Sequence, residues 1–240
     1  MMKQTIKETL GFLYYNLYQR YSSKIGNRAL IYHAFGAKLK HDTYGISIQL
    51  NKFKDHIKYL TDNYIFTNGR SLIKNKFTLS ITIDDGYKDT IGAVEVLNDY
   101  NIPFYLFITA DNINKKDYLS DNELFDISKL DIATIGSHGL THVKLGDISY
   151  NNQKTELKKS KDLLEKIIRK PVKTLSYPHG SYNNDTLRVA NYLQYEQGYC
   201  STKGLNVANT NKLLLRRSEI IATDTFKDLK KKITGFYDYY

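Results

Sequence analysis

Two adjacent carboxylates, Asp84 and Asp85, end the β-forming run ITIDDG, and two histidines, His138 and His142, stand four residues apart in IGSHGLTH. On one turn of helix, or in a loop of similar pitch, both imidazoles of such a pair can face a single metal ion. Two histidines need a further ligand. Asp84 or Asp85 can supply it, giving an Asp/His/His site with positions open for water and substrate. The other aspartate then stands beside a polarised water, where a general base belongs. Each motif alone also has a structural reading: Asp-Asp-Gly is ordinary turn chemistry, either aspartate can cap the helix that follows, and the histidines can be unrelated surface or packing residues. SYPHG, from Ser176 to Gly180, is a proline-fixed turn whose amides can bond a developing oxyanion, or simply a strand-to-helix turn. IYHAFG, with His33, is the fourth polar cluster. His41 and His56 match no motif and read as surface or loop residues.

All four clusters follow apolar runs, so elements that bring strand ends together must position them. Strands are expected at Ala29 to His33, Phe77 to Ile83, Phe104 to Thr109, Ile132 to Ser137, Thr174 to Tyr177, Tyr199 to Thr202 and Leu213 to Ile220. Helical patterns fall between them, near Asn51 to Thr61, Asp89 to Tyr100, Asp121 to Lys129, Gln153 to Arg169, Asn184 to Tyr195 and Thr225 to Ile233. This alternation predicts βα units and a largely parallel sheet, in which the carboxyl ends of the strands share one ligand-binding face. With no internal repeat, linker or break in composition, one domain is expected, preceded by an N-terminal segment. In that segment, 1–27, Ile6, Leu10, Leu13 and Leu17 recur at helical spacing with Tyr14, Tyr18 and Tyr21 nearby. This is an amphipathic helix, docked on its own domain or in contact with a membrane surface or partner.

The chain has 240 residues, 41% hydrophobic and 25% charged, the balance of a folded domain and not of a disordered one. One cysteine, Cys200, excludes an internal disulfide framework and a cysteine-built zinc site, and is expected to be buried. Thirty-five lysines and arginines against 25 acidic residues give a net charge of +10, which suits anionic partners: a phosphate-bearing substrate or an acidic membrane surface. Nucleic acid is not expected, because no binding motif accompanies the charge and the lysines spread over several helices. No run spans a bilayer, no signal-peptide pattern opens the chain, and no phosphate-binding glycine loop occurs. A cytoplasmic location, or one peripheral to the cytoplasmic membrane, is the expectation.

DDG, then SHGLTH, then YPHG, in that order, resemble the polysaccharide deacetylases, the NodB-homology or carbohydrate esterase family 4 domain, from about Leu30 to Ile220, within a domain expected at 28–240. The resemblance implies an α/β fold, a distorted (β/α)7-type barrel, and metal-dependent hydrolysis of acetyl groups on sugars. Carried over by position, Asp84 resembles the catalytic base, while Asp85, His138 and His142 resemble the ligands of a divalent, zinc-type metal. Tyr177, Pro178, His179 and Gly180 match the oxyanion and substrate-binding turn. Ile83 replaces the family's usual phenylalanine, and Gly139 a serine or threonine. Two departures matter more: Ser176 and Tyr177 stand where common members have an arginine before the proline, and no histidine follows His179. IYHAFG resembles the tyrosine-histidine motif of a branch that includes biofilm-polysaccharide deacetylases, which implies His33 as general acid. LLRRSEI resembles that branch's late arginine segment, implying Arg217, with Arg216 adjacent, as the residue that orients the base. The resemblance implies an N-acetylhexosamine substrate in an envelope glycan or a lipid-linked, anionic sugar. A carbohydrate-binding barrel without turnover, or a deacetylase of soluble oligosaccharides, are the alternatives.

Overall fold

The computed structural model describes residues 2–19, 25–37, 39–69 and 73–239. Strand β3 (Phe77–Ile83) shows how the chain builds it. Thr78, Ser80, Thr82 and then Asp84 point into a barrel, whereas Leu79, Ile81 and Ile83 point outward into a layer packed beneath helices. Alternating side-chain direction makes one run serve two environments. Each outward side chain is fully buried and contributes about 2 kcal/mol of apolar burial.

The other strands are β1 (Gly26–Tyr32), β2 (Ile65–Phe66), β4 (Phe104–Ile108), β5 (Ala133–Ser137), β6 (Thr174–Ser176), β7 (Gln197–Tyr199) and β8 (Arg217–Glu219). They pair in parallel in the order β7-β6-β5-β4-β3-β1-β8, with β2 beside the start of β3. The residues entering β8 return to β7, where the Cys200 amide donates to Leu215 O at 2.9 Å and the Leu215 amide to Gly198 O at 2.8 Å. The sheet thereby becomes a nearly closed α/β barrel. Among the described residues, seven α-helices accompany it: α1 (Met2–Tyr14), α2 (Leu50–Asn63), α3 (Thr90–Asp99), α4 (Asp121–Ile127), α5 (Tyr150–Ile168), α6 (Asn184–Tyr192) and α7 (Phe226–Thr234). Capping boxes start three of them, Ser120 with Glu123 on α4, Asn183 with Thr186 on α6 and Thr225 with Asp228 on α7.

Most expected elements occur within a few residues of their expected limits. The strand expected at Tyr199 to Thr202 lies instead at Gln197–Tyr199, and the one at Leu213 to Ile220 shrinks to Arg217–Glu219. Gly198 explains the first shift: a Cβ there would meet the Tyr177 hydroxyl at 2.5 Å and Leu213 O at 2.6 Å, so close approach selects a residue that no β propensity marks. β2 carries too short a pattern to be read. β1 opens at Gly26, inside the expected helical segment 1–27, because Gly26 already pairs with Phe77.

Helix α1 continues as a π-helical turn through Tyr15–Gln19; Tyr21 lies outside the described residues. The helix docks on the C-terminal segment, but not through the expected stripe. Gly11 meets the Phe236 ring, Glu8 pairs with Lys231 and accepts from Tyr237, and Tyr239 donates to Lys7 O. Ile6, Leu10, Leu13 and Leu17 face outward, each between 48% and 64% exposed. Among the described residues no helix is long and apolar enough to cross a membrane.

Candidate active site

Asp84 and Asp85 leave β3 through a turn in which Asp85 (φ 75°) and Gly86 (φ 82°) are both left-handed. The left-handed φ of Gly86 favours glycine, and a Cβ there would also meet the tip of Ile108 at 2.7 Å. Neither aspartate caps the next helix. Asp89 occupies that position, and its carboxylate instead accepts the amides of Phe35 and Ala37 at 2.6 and 2.8 Å. His142 and His179 are also left-handed, at φ 64° and 56°. Three non-glycine residues in this uncommon conformation gather at one mouth of the barrel, where such strain concentrates at working sites. The His138 to His142 segment is accordingly a loop, not a helical turn.

Asp85 Oδ1, His138 Nε2 and His142 Nε2 form a nearly equilateral triangle with sides of 3.4, 3.3 and 3.3 Å. A tetrahedral ion with bonds of about 2.0–2.1 Å holds its ligands about 3.3–3.4 Å apart. The donors therefore fit a zinc-type divalent metal by spacing as well as by type. His138 Nδ1–H donates to Ser176 O at 2.8 Å, which leaves the Nε2 lone pair aimed at the centre of the triangle. Burial pushes His138 down to about 4 against the pull of both carboxylates, so it is neutral and ready to ligate near neutral pH. Burial raises Asp85, but its hydrogen bond with His142 and the charges of the surrounding histidines outweigh that and hold it low.

Asp84 is 2% exposed and faces Arg217. The guanidinium donates to Oδ1 and Oδ2, both at 2.8 Å, to Thr82 Oγ1 at 3.1 Å, to Ser176 Oγ at 2.6 Å and, through Nε, to Cys200 O at 3.1 Å. All five donors are used. Ser176 Oγ–H in turn donates to Asp84 at 3.0 Å. Burial raises the Asp84 carboxyl, yet the Arg217 charge, with His138, lowers it further than burial raises it, so it stays ionised. Arg216 is exposed and points the other way, as strand alternation requires. Asp84 Oδ2 lies 3.8 Å from His138 Nε2, which sets the carboxylate beside the triangle and outside it.

His33 follows β1 and lines the same cavity of about 610 Å³, with Nε2 at 3.9 Å from Glu219 Oε1. Tyr177 is buried and its hydroxyl donates to Leu213 O at 2.8 Å, so it braces the turn. Pro178 packs on Gly139, and the His179 ring lies 4.5 Å from that of His142. The Gly180 amide donates back to Tyr177 O at 2.8 Å and is therefore committed within the turn.

Four features escaped the sequence reading. Ser176 joins the two halves of the site, its carbonyl on His138 and its hydroxyl between Asp84 and Arg217. His41 is the exposed loop residue the sequence implied, but it also lines the cavity, with Nε2 at 2.8 Å from the Tyr87 hydroxyl. His56, by contrast, is no surface or loop residue. It is buried on α2 with Nδ1 at 3.4 Å from the Tyr32 hydroxyl, drawn in by an apolar helix face. Finally, Tyr44 and Tyr118 flank the cavity. Only the apolar alternation around His56 carried a usable signal. The others depend on contacts distant in sequence.

The family model for polysaccharide deacetylases matches residues 73–198, which include the triangle, Asp84 and the Tyr177–Gly180 turn but neither His33 nor Arg217. The poly-β-1,6-N-acetyl-D-glucosamine N-deacetylase of Staphylococcus aureus is 28% identical over 218 residues, 80% of this chain and 73% of that protein. YxkH of Bacillus subtilis, named for the same family, is 28% identical over 187 residues, 73% of this chain but only 64% of its own length. The crystal structure of a polysaccharide deacetylase from Bacillus cereus superposes with a TM-score of 0.76 at 25% identity, covering 87% of this chain and 69% of that one. With more than half its length matched by the family model and the same barrel around the matched motifs, the chain belongs to the polysaccharide deacetylase family.

Proposed function

We propose that the protein is a metal-dependent N-deacetylase that hydrolyses the acetamide of an N-acetylhexosamine in a bacterial envelope glycan or lipid-linked sugar, releasing acetate. The observation that carries this reading is the Asp85/His138/His142 triangle with an ionised, arginine-held Asp84 beside it at the floor of a sugar-sized cavity. A divalent ion held by the triangle supplies Lewis acidity toward the acetamide oxygen and the attacking water. Asp84 takes a proton from that water, and Arg217 and Ser176 keep the carboxylate aimed and ionised. The His179 amide offers a hydrogen bond to the developing oxyanion. His33, across the cavity, hands a proton to the departing amine, so that the C–N bond breaks to give acetate and a free amino sugar.

Among the described residues that line the cavity, none is a lysine or arginine. In this reading the excess of positive charge addresses what surrounds the acetamido sugar, a membrane surface or a diphosphate linker, and not the reacting residue. The outward apolar stripe of α1 supports peripheral membrane contact of the same kind. The Staphylococcus aureus relative, named for a β-1,6-linked N-acetylglucosamine polymer, directs the first substrate choice.

The test is acetate release by zinc-loaded protein from that polymer and from envelope lipid extract, run beside Asp84→Asn. Release that is abolished by chelation and by the substitution is the expected result. Glycan binding without release, in folded and metal-loaded protein, overturns the enzyme reading in favour of a carbohydrate-binding barrel.

A further inference from the structure

The connection between β1 and α2, 33–49, far exceeds the two to six residues usual for a strand-to-helix loop. Its described residues are nonetheless tightly held. The Asp42 carboxylate accepts the amides of Tyr44 (3.0 Å), Gly45 (2.6 Å), Ile46 (3.1 Å) and Ser47 (3.2 Å). The Ala222 amide donates to Gly45 O at 2.6 Å and ties the loop to the segment beyond β8. His41 is fixed on the Tyr87 hydroxyl, and Asp89 holds the base of the loop through the Phe35 and Ala37 amides.

This scaffold holds Tyr44 at the rim of the catalytic cavity with its side chain 77% exposed, more than any other large hydrophobic side chain described. Five hydrogen bonds on the neighbouring backbone therefore hold out an aromatic ring that packs on little of the protein. Tyr118, stacked on Tyr87 at 5.0 Å and 27°, lines the same cavity. A flat phenol suits the C–H face of a pyranose: stacking buries apolar area while the sugar hydroxyls, which lie around the ring edge, stay in water. The held backbone sets where the ring is presented, so binding has to order only the side chain and not the loop.

We propose that Tyr44 is the stacking residue of a subsite for the sugar next to the one being deacetylated, so that the cavity selects residues within a chain over single sugars. The proposal rests on the N-deacetylase reading for the reacting residue but not for the stacking contact itself. The ligand class is a neutral β-linked hexosamine oligomer, consistent with a cavity whose described lining has no lysine or arginine.

The chain contains no tryptophan, so Tyr44→Trp gives a protein with a single indole at the proposed contact. Its emission is titrated with N-acetylglucosamine and with β-1,4- and β-1,6-linked pentamers. The expected result is a saturable change with at least one pentamer, at least tenfold tighter than with the monosaccharide. In parallel, Tyr44→Ala is expected to lower the ratio of kcat/KM for the pentamer to that for the dimer about tenfold, whereas Tyr44→Phe keeps the ratio. The absence of a saturable emission change, or equal affinity for monosaccharide and pentamer, overturns the subsite whether or not acetate is released. A pentamer-specific change in a protein that releases no acetate keeps the subsite and overturns the N-deacetylase reading instead.

Discussion

Arg217 and Arg28 are both 1% exposed and both grip an aspartate through two parallel hydrogen bonds, yet one lies inside the barrel and the other outside it. Arg217 has every donor matched, to one carboxylate, two hydroxyls and a carbonyl on three different segments. Arg28 bonds Asp238 at 2.9 and 2.7 Å and Ser218 at 3.3 Å, while its Nε has no partner among the described residues. The difference separates two uses of the same ion pair. Outside the barrel it pins the C-terminal segment to β1. Inside, saturation fixes the direction of the Asp84 carboxylate, the base of the proposed reaction. The surroundings differ as well: the outer layer is largely apolar, whereas the interior mixes threonines, serines and the site with an aromatic cluster of Tyr105, Phe107 and Tyr199 that lies against Arg217.

Removing each arginine is the sharpest way to break the comparison. Arg217→Met leaves Asp84 buried and unpaired, which costs about 3–5 kcal/mol and removes the orientation of the base. Turnover is expected to fall at least about a hundredfold, measured as acetate release, together with the urea midpoint. Arg217→Lys restores a charge without the planar fork, so stability is expected to recover in part while turnover stays low. Full activity in the lysine variant would show that charge alone suffices and that saturation is incidental.

Outside the barrel the expectation reverses. Arg28→Met strands Asp238, itself only 7% exposed, and is expected to lower stability by about 3 kcal/mol with kcat unchanged once the protein is folded. A change in kcat at full metal occupancy would mean that the outer layer sets the geometry of the site. Within the site, His138→Ala is expected to abolish stoichiometric zinc in the purified protein while leaving the barrel's circular dichroism intact, because two remaining ligands make a poor site. Retained zinc would place the metal elsewhere.

Much of this division was legible in the sequence. The period-two run into Asp84 announces a strand, and i, i+4 spacing brings His138 and His142 together, although through a left-handed loop and not a helical turn. Arg217 rather than Arg216 was legible from the resemblance, and strand parity gives the physical reason. The partners of Ser176, at the end of β6, and the place of Tyr44 and His41 beside the cavity were not, because they arise from contacts distant in sequence that meet only in the closed barrel. β7 was displaced because its centre is a glycine chosen for close packing. The partner of the α1 stripe was left open for a related reason: spacing identifies an apolar face but cannot say what covers it, and here the docking face is built from Gly11 and aromatic residues.

His56 tests the outer layer by pH, with the smallest effect. Burial on α2, with the Lys52 charge, pushes its pKa down to about 4, below the unfolded value of about 6.5. Asp224 and Asp55 oppose this shift without reversing it. A depressed folded pKa means that the unfolded chain binds the proton first. The contribution of His56 is therefore fully present above about pH 6.5 and is lost as pH falls toward about 4. Between pH 7 and 5 that loss amounts to about 2 kcal/mol. His56→Leu removes the titrating group while keeping an apolar filler beside Phe53 and Tyr32. Its stability is expected to change less than that of the unsubstituted protein over this range, by urea unfolding at each pH. Matching pH dependence in both proteins would transfer the acid sensitivity to the interior, where His138 is pushed down to about 4 as well. The inside of the barrel would then govern folding as well as chemistry, and the contrast between the two arginine pairs would no longer describe the molecule.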